Sequence, residues 1–318
     1  ELSLNTGTPQ GSSCSCLVFI LFVGDLPLWV GDGLLVAYAD DVFITVEADS
    51  ESELRKKLEE EGDKILRYFA SNALVANASK TALVVFGSKC HGEREPFHIT
   101  LAEERIVETS EEKLLGVIIQ SDLKFTEHFE KVTTEANYAI SVLRRLRRHL
   151  GKRELKMIGD GIVMSKIRYG LSAYAAASLR LGPTDPQSTA LQRVQRCQNE
   201  MLRVITGSRR RDHVRIADLL DDTGFLSVNQ SAGYAILMEM WKAREFDVPV
   251  LNSLLEKRRY DDRTLRSDSA NKVSTSGKDT VAINIEKLWN ASSNKFKSTN
   301  LITVAKLEAK NFAKTLPV

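Results

Sequence analysis

The spacing of apolar positions changes near residue 120 of the 318-residue chain. Before it, short apolar runs are broken by turn residues; after it, apolar side chains return every three or four positions. The first run, Cys16-Leu17-Val18-Phe19-Ile20-Leu21-Phe22-Val23, is apolar on every side and ends at Gly24-Asp25-Leu26-Pro27. It is far shorter than the roughly 20 residues a bilayer requires, and the spacing predicts a buried helix near 13–24. Two β-rich runs, 34–38 and 42–46, flank Asp40-Asp41 and predict a hairpin with a tight polar turn. Ser50-x-x-Glu53 reads as a capping box opening a helix over 50–72, whose apolar stripe is Leu54, Leu58, Ile65, Leu66 and Phe69. Strands are expected at 82–86 (a buried run), 97–101, 105–109 and 113–119.

From about 125 the period is helical. Phe129, Val132, Ala136, Ile140, Leu143, Leu146 and Leu150 fall on one stripe. Further helices fit 153–178, 187–206, 213–221 and 228–247, and another fits 300–315. Residues 258–280 are polar and read as mobile. The pattern is therefore mixed α+β to about 120 and all α beyond it, with no internal repeat.

Composition changes this picture little. The chain is 43% hydrophobic and 27% charged, as expected for a globular protein with a sizeable core. A net charge of +2 hides local basic clusters, which say more about partners than the total does. Cysteines at 14, 16, 90 and 197 have neither zinc-ligand spacing nor the look of a disulfide framework. Reduced thiols, with no basic leader and no membrane-length segment, predict an intracellular protein of the nucleus and/or cytoplasm.

The Asp40-Asp41 pair carries the candidate chemistry. Adjacent carboxylates repel, and divalent cations neutralise them while providing a site for in-line phosphoryl transfer. An isolated Asp-Asp in a turn is ordinarily a solvated turn. Here, however, the surroundings fall in a specific order: Gly7-Thr8-Pro9-Gln10-Gly11-Ser12, the apolar helix, Asp25-Leu26-Pro27, and Tyr38-Ala39-Asp40-Asp41. Asn77-Ala78-Ser79-Lys80-Thr81 follows before a strand, then Leu114-Leu115-Gly116-Val117 and Ser121-Asp122-Leu123-Lys124-Phe125-Thr126-Glu127-His128. This order resembles the reverse transcriptases, and most closely their non-LTR (LINE-like) retrotransposon branch, over residues 5–150.

The resemblance implies an α+β fold, a partial right-hand polymerase palm of antiparallel sheet and helices followed by an all-α thumb and helical C-terminal region. On that reading the palm covers 1–122, the thumb 123–180, a helical region 181–257, a polar mobile segment 258–298 and a C-terminal helix 299–318. Asp40 and Asp41 would ligate a Mg²⁺ pair, with Asp40 the more direct ligand. Tyr38 would lie near the primer end, Gln10 and Gly11 would line the nucleotide and template pocket, and Lys80 would serve the leaving pyrophosphate. The implied partners are an RNA template, a DNA primer and deoxynucleotides, with no membrane and no indicated oligomeric state.

Two departures from the family pattern shape the expectation about activity. The family's third catalytic Asp lies upstream of the Gly-Thr-Pro-Gln loop, and the residues ahead of that loop here, Glu1 to Thr6, include no Asp. Ser15-Cys16 and Gly24 also replace the usual Gly-Pro step and Asn. Misplacing catalytic groups by about 1 Å costs roughly 10²-fold, so a fragment inactive by itself is expected. Arg144, Arg145, Arg147, Arg148, Lys152 and Arg153 flank the stripe through Leu143, Leu146 and Leu150. They predict a phosphate-contacting surface, and Ser208-Arg209-Arg210-Arg211 with Arg215 a weaker second one. The rival readings are a non-catalytic nucleic-acid-binding module and a retroelement remnant with exposed sheet edges.

Overall fold

A computed structural model describes residues 12, 14–31, 33–77, 80–87, 95–248 and 280–318. The chain forms two compact units, Glu1–Glu112 and Lys113–Val318.

The first unit is organised by one helix. α1 (Ser15–Phe22) and a 3-10 turn (Leu26–Leu28) lead to the hairpin of β1 (Leu34–Tyr38) and β2 (Asp41–Thr45), and α2 (Glu51–Ser71) follows. Ser50 caps α2, its Oγ accepting from the Glu53 N–H at 3.3 Å. The C-terminal half of α2 buries Ile65 and Tyr68 against Leu26, with Val30, Leu35, Val42, Ile44 and Phe69 packed around them. The N-terminal half supplies Leu54 and Leu58 to a second small core of Leu83, Val85, Phe97 and Ile99. That core lies on the hairpin of β3 (His98–Leu101) and β4 (Glu104–Val107). Gly62 allows the approach, because a Cβ there would lie 2.5 Å from Leu101 Cδ2.

Several expectations for this unit are corrected. α1 forms where the apolar run predicts a helix but buries no residue among the described ones; Leu17, Ile20 and Leu21 are more than half exposed. An all-apolar helix reports a need for cover, and no surface of the described residues supplies it. The 82–86 run is extended rather than a strand, with one bridge from Leu83 to Glu108; Leu83 and Val85 are buried and Phe86 is exposed. The described strands form three two-stranded sheets instead of one antiparallel sheet.

The strand expected over 113–119 is also two strands, β5 (Glu111–Leu114) and β6 (Val117–Gln120). Leu115 (φ 46°) and Gly116 (φ 89°) take positive φ between them, which reverses the chain as a primed turn does.

The second unit is helical. α3 (Thr126–Leu146) buries Phe129, Val132, Ala136, Ile140 and Leu143, as the stripe predicts. α4 (Lys152–Gly159) runs through a π turn (160–164) into α5 (Ser165–Arg168). The helix expected over 153–178 breaks at Gly170 (φ 67°), ahead of α6 (Leu171–Tyr174). A Cβ on Gly170 would lie 2.6 Å from Val117 Cγ2, so strain and crowding both exclude a side chain.

α7 (Thr189–Thr206), α8 (Ile216–Thr223) and α9 (Val228–Glu245) follow, with α9 buried on nearly every side. The segment expected to be polar and mobile over 258–298 lies outside the described residues up to 279. Beyond that it forms α10 (Thr280–Ala291) and α11 (Asn294–Ser298), which bury Leu288, Trp289 and Phe296. α12 (Ile302–Ala313) closes the chain. One core runs through this unit from Phe129 to Leu316, so the helices expected as separate thumb, downstream and C-terminal regions share it.

The Ser121–His128 motif is a joint. Leu123 and Phe125 take positive φ, the Asp122 carboxylate accepts from the Lys124 N–H, and buried His128 accepts from the Ile118 N–H through Nδ1 at 3.2 Å. The imidazole also meets Tyr174 edge-on at 4.7 Å. Burial, with Lys131 nearby, lowers the His128 pKa, against a smaller opposing effect of Glu135. The unfolded chain then binds the proton more readily than the folded one. Stability is full above the unfolded value of about 6.5 and declines as pH falls through it toward the lowered folded value. Thermal melts between pH 8 and 5 are expected to show this loss, and His128→Asn, which keeps an acceptor for Ile118, is expected to flatten it.

Candidate metal site and basic surface

The hairpin places the acidic pair at its tip. Tyr38 stands opposite Asp41 in the register, leaving Ala39 and Asp40 as the turn. Ala39 takes φ 54°, a conformation that costs an L-residue roughly 1 kcal/mol or more and is found where a turn must aim side chains. One face of the hairpin, with Leu35, Val42 and Ile44, packs on the Leu26–Ile65–Tyr68 core. Gly33 permits this, since a Cβ there would lie 2.8 Å from Ile44.

The base of the hairpin is fastened by polar contacts that sequence spacing does not show. Tyr68 donates to Asp25 at 2.6 Å, 43 residues away, and its ring meets Trp29 edge-on. Burial, reinforced by Asp25, pushes the Tyr68 pKa up to about 12, so the phenol stays a donor. Buried Glu61 accepts from the Gly31 N–H at 2.9 Å and from Lys64 at 2.6 Å.

Asp40, Asp41 and Tyr38 are exposed at the free end of this anchored hairpin, and no ion pair among the described residues engages either carboxylate. Two adjacent carboxylates are hard oxygen donors with open space for water, a donor set that fits Mg²⁺. Among the described residues no group of three or more His, Cys, Asp or Glu side chains converges to hold a metal. Lys80 is exposed on a separate turn, its N–H bonded to the Asn77 carbonyl, and no contact among the described residues brings it to the hairpin tip. Gln10 and Gly11 lie outside the described residues.

This hairpin, its anchoring helix and the segments that follow are a contiguous part of the chain with a recognisable family pattern. Residues 1–119 match the reverse transcriptase (RNA-dependent DNA polymerase) family model. No curated protein and no solved structure matches the chain. The reverse transcriptase match contains the Tyr38–Asp41 turn and Lys80, and it ends within β6. Among the described residues no helix is long and apolar enough to cross a membrane.

The basic residues of the helical unit lie beyond the matched stretch. Arg144, Arg145, Arg147, Arg148 and Arg153 are exposed, as expected. They do not sit on a single helix, because α3 ends at Leu146 and α4 begins at Lys152. Lys152 is paired with Asp222 at 2.5 Å, and both side chains are about half exposed. Arg144 is joined by Glu200, which the sequence-based surfaces did not include, and is linked through it to Arg210 of the second one. Glu200 on α7 accepts from Arg144 at 3.1 Å and from Arg210 at 2.8 Å. The two basic clusters, some 60 residues apart along the chain, therefore meet on one surface.

Proposed function

We propose that the first unit is palm of a non-LTR retrotransposon reverse transcriptase, an RNA-directed nucleotidyltransferase, with Asp40 and Asp41 as its Mg²⁺ ligands. The supporting observation is the anchored hairpin that presents both carboxylates at its tip within the reverse transcriptase match. Bound Mg²⁺ supplies charge neutralisation at the phosphoryl group being transferred. Asp40 and Asp41 hold the ion, Tyr38 stands beside the primer end, and Gln10 and Gly11 line the nucleotide and template pocket. Lys80 neutralises the leaving pyrophosphate.

Mn²⁺, a paramagnetic stand-in for Mg²⁺, tests the ligands without requiring activity. Asp40→Asn and Asp41→Asn are each expected to weaken Mn²⁺ binding by more than the roughly 10-fold that loss of a supporting group costs. Unchanged Mn²⁺ affinity in both variants would overturn the assignment. Undiminished primer extension by an Asp40→Ala reverse transcriptase reading frame would do the same.

A second reading, a nucleic-acid-binding module that works without catalysis, is favoured by the exposed arginines of the helical unit. It requires RNA affinity at low salt that falls as salt rises.

A further inference from the structure

We propose that the concavity where the ends of α3 and α7 meet is a pocket for a backbone phosphate of a nucleic-acid strand, and that Glu200 occupies its arginines until the phosphate arrives. The proposal rests on the nucleic-acid reading above and adds a site and a competing internal ligand. The concavity measures about 270 Å³, more than one phosphate group fills. Arg144 and Arg147 line it from α3 and its C-cap, Arg203 from α7, and Arg209 and Arg210 from the loop beyond. Five arginines thus line it beside one glutamate, Glu200, whose carboxylate engages Arg144 and Arg210.

That charge ratio is what an oxyanion site requires and what a folded surface avoids without a reason. Glu200 offsets part of this positive charge, and the arginines it does not engage raise the local potential. Arg203 adds a second, independent sign: its Nε is buried and has no acceptor among the described residues. A buried donor left unsatisfied costs about 1–3 kcal/mol. The pocket is also built for close approach. Gly207 ends α7 at φ 87°, a conformation that favours glycine, and the Arg147 guanidinium lies over it.

Glu200 shows how the arginines grip an anion. Its Oε1 accepts from Arg210 Nε at 2.8 Å, and its Oε2 accepts from Arg144 Nη2 at 3.1 Å. Two oxygens of one group shared between two guanidiniums is the geometry with which arginines hold a phosphodiester. The Glu200 side chain is about one-fifth exposed, so solvent and ligand can reach it. A strand phosphate that takes its place gains Arg144 and Arg210 and approaches Arg203, at the cost of releasing the carboxylate.

Binding of a single-stranded RNA of mixed sequence is measured against salt for the wild-type chain, Glu200→Gln and Arg210→Gln. Thermal melts confirm that both variants fold. Glu200→Gln is expected to tighten binding several-fold, because the competing charge is gone. Arg210→Gln is expected to weaken it and to reduce the slope of log affinity against log salt by about 0.7, the loss of one contact to a single strand. RNA binding that is salt-dependent but unchanged in both variants would overturn the pocket and leave the nucleic-acid reading standing. Inorganic pyrophosphate, in a parallel thermal-shift arm, separates the sources of phosphate. Stabilisation that needs Arg210, in a chain that does not bind RNA, would assign the pocket to free phosphate and overturn the strand proposal along with the nucleic-acid reading.

Discussion

Replacing Trp241 with Ala is expected to remove about 3–5 kcal/mol of stability, the usual cost of deleting a core aromatic side chain. Trp241 is 2% exposed in the C-terminal part of α9, the helix around which the second unit is built. Its indole N–H also donates to the Thr299 carbonyl at 2.8 Å. That hydrogen bond adds little to the loss, because Arg244 donates to the same carbonyl at 2.6 Å and keeps it satisfied. The cost is therefore a cavity cost. Small domains have only about 5–15 kcal/mol in total, so the loss is a large share of the whole. For a unit of this size it corresponds to roughly 6–20 °C in melting temperature. Calorimetry measures it directly, and Trp241→Phe, which keeps most of the volume, is expected to recover more than half. A fall in melting temperature no larger than that of the exposed control Met157→Ala would refute the central place given to α9.

Helices α2 and α3 were legible in the sequence because their evidence is local. The α3 stripe needs only a three-to-four-residue period, and Ser50 and Glu53 mark the start of α2 by themselves. The errors have a common physical origin in information that is not local. The run at 16–23 specifies a helix, but burial depends on what another surface supplies. The run at 113–119 is apolar enough for one strand, yet Leu115 takes a left-handed conformation that side-chain type does not announce. Residues 82–86 have the apolar content of a buried strand, but a strand also needs a partner ladder, and there only Leu83 finds one.

The candidate site divides the same way. The Tyr38–Asp41 turn was legible as a motif and as a hairpin tip. The Asp25–Tyr68 and Glu61–Gly31 contacts that anchor it join positions 43 and 30 residues apart, with no sequence signal beyond polar residues near apolar ones. Among the basic residues, neighbours in sequence proved a poor guide to neighbours in space. Lys152 is engaged by Asp222, while Arg203 and Arg210 face Arg144 from another helix and its following loop. His128 was legible as part of a motif, but its work as an acceptor for the Ile118 N–H appears only when β6 and α3 are folded together.

The second large effect is expected at Asn229, where one buried amide holds two distant segments. Its Oδ1 accepts from the Arg180 N–H at 2.9 Å, and its Nδ2 donates to the carbonyls of Arg180 (2.9 Å) and Pro317 (3.0 Å). Asn229→Asp keeps the shape and the acceptor but turns both donated contacts into an oxygen facing two carbonyl oxygens. Each orphaned buried group costs about 1–3 kcal/mol, and a charge costs more, so a loss of about 3 kcal/mol or more is expected at pH 8. The loss should shrink as pH falls, because a protonated Asp regains one donor. Asn229→Ala removes all three contacts and should show no such pH dependence. Hydrogen exchange separates them further: the Arg180 amide should stay protected in Asn229→Asp, which still accepts from it, and exchange faster in Asn229→Ala. The neighbouring Gln230 continues to donate to the Lys314 and Leu316 carbonyls, so the C-terminal segment should loosen at Pro317 without detaching. Equal protection of Arg180 in both variants would mean that this amide is held by something other than Asn229.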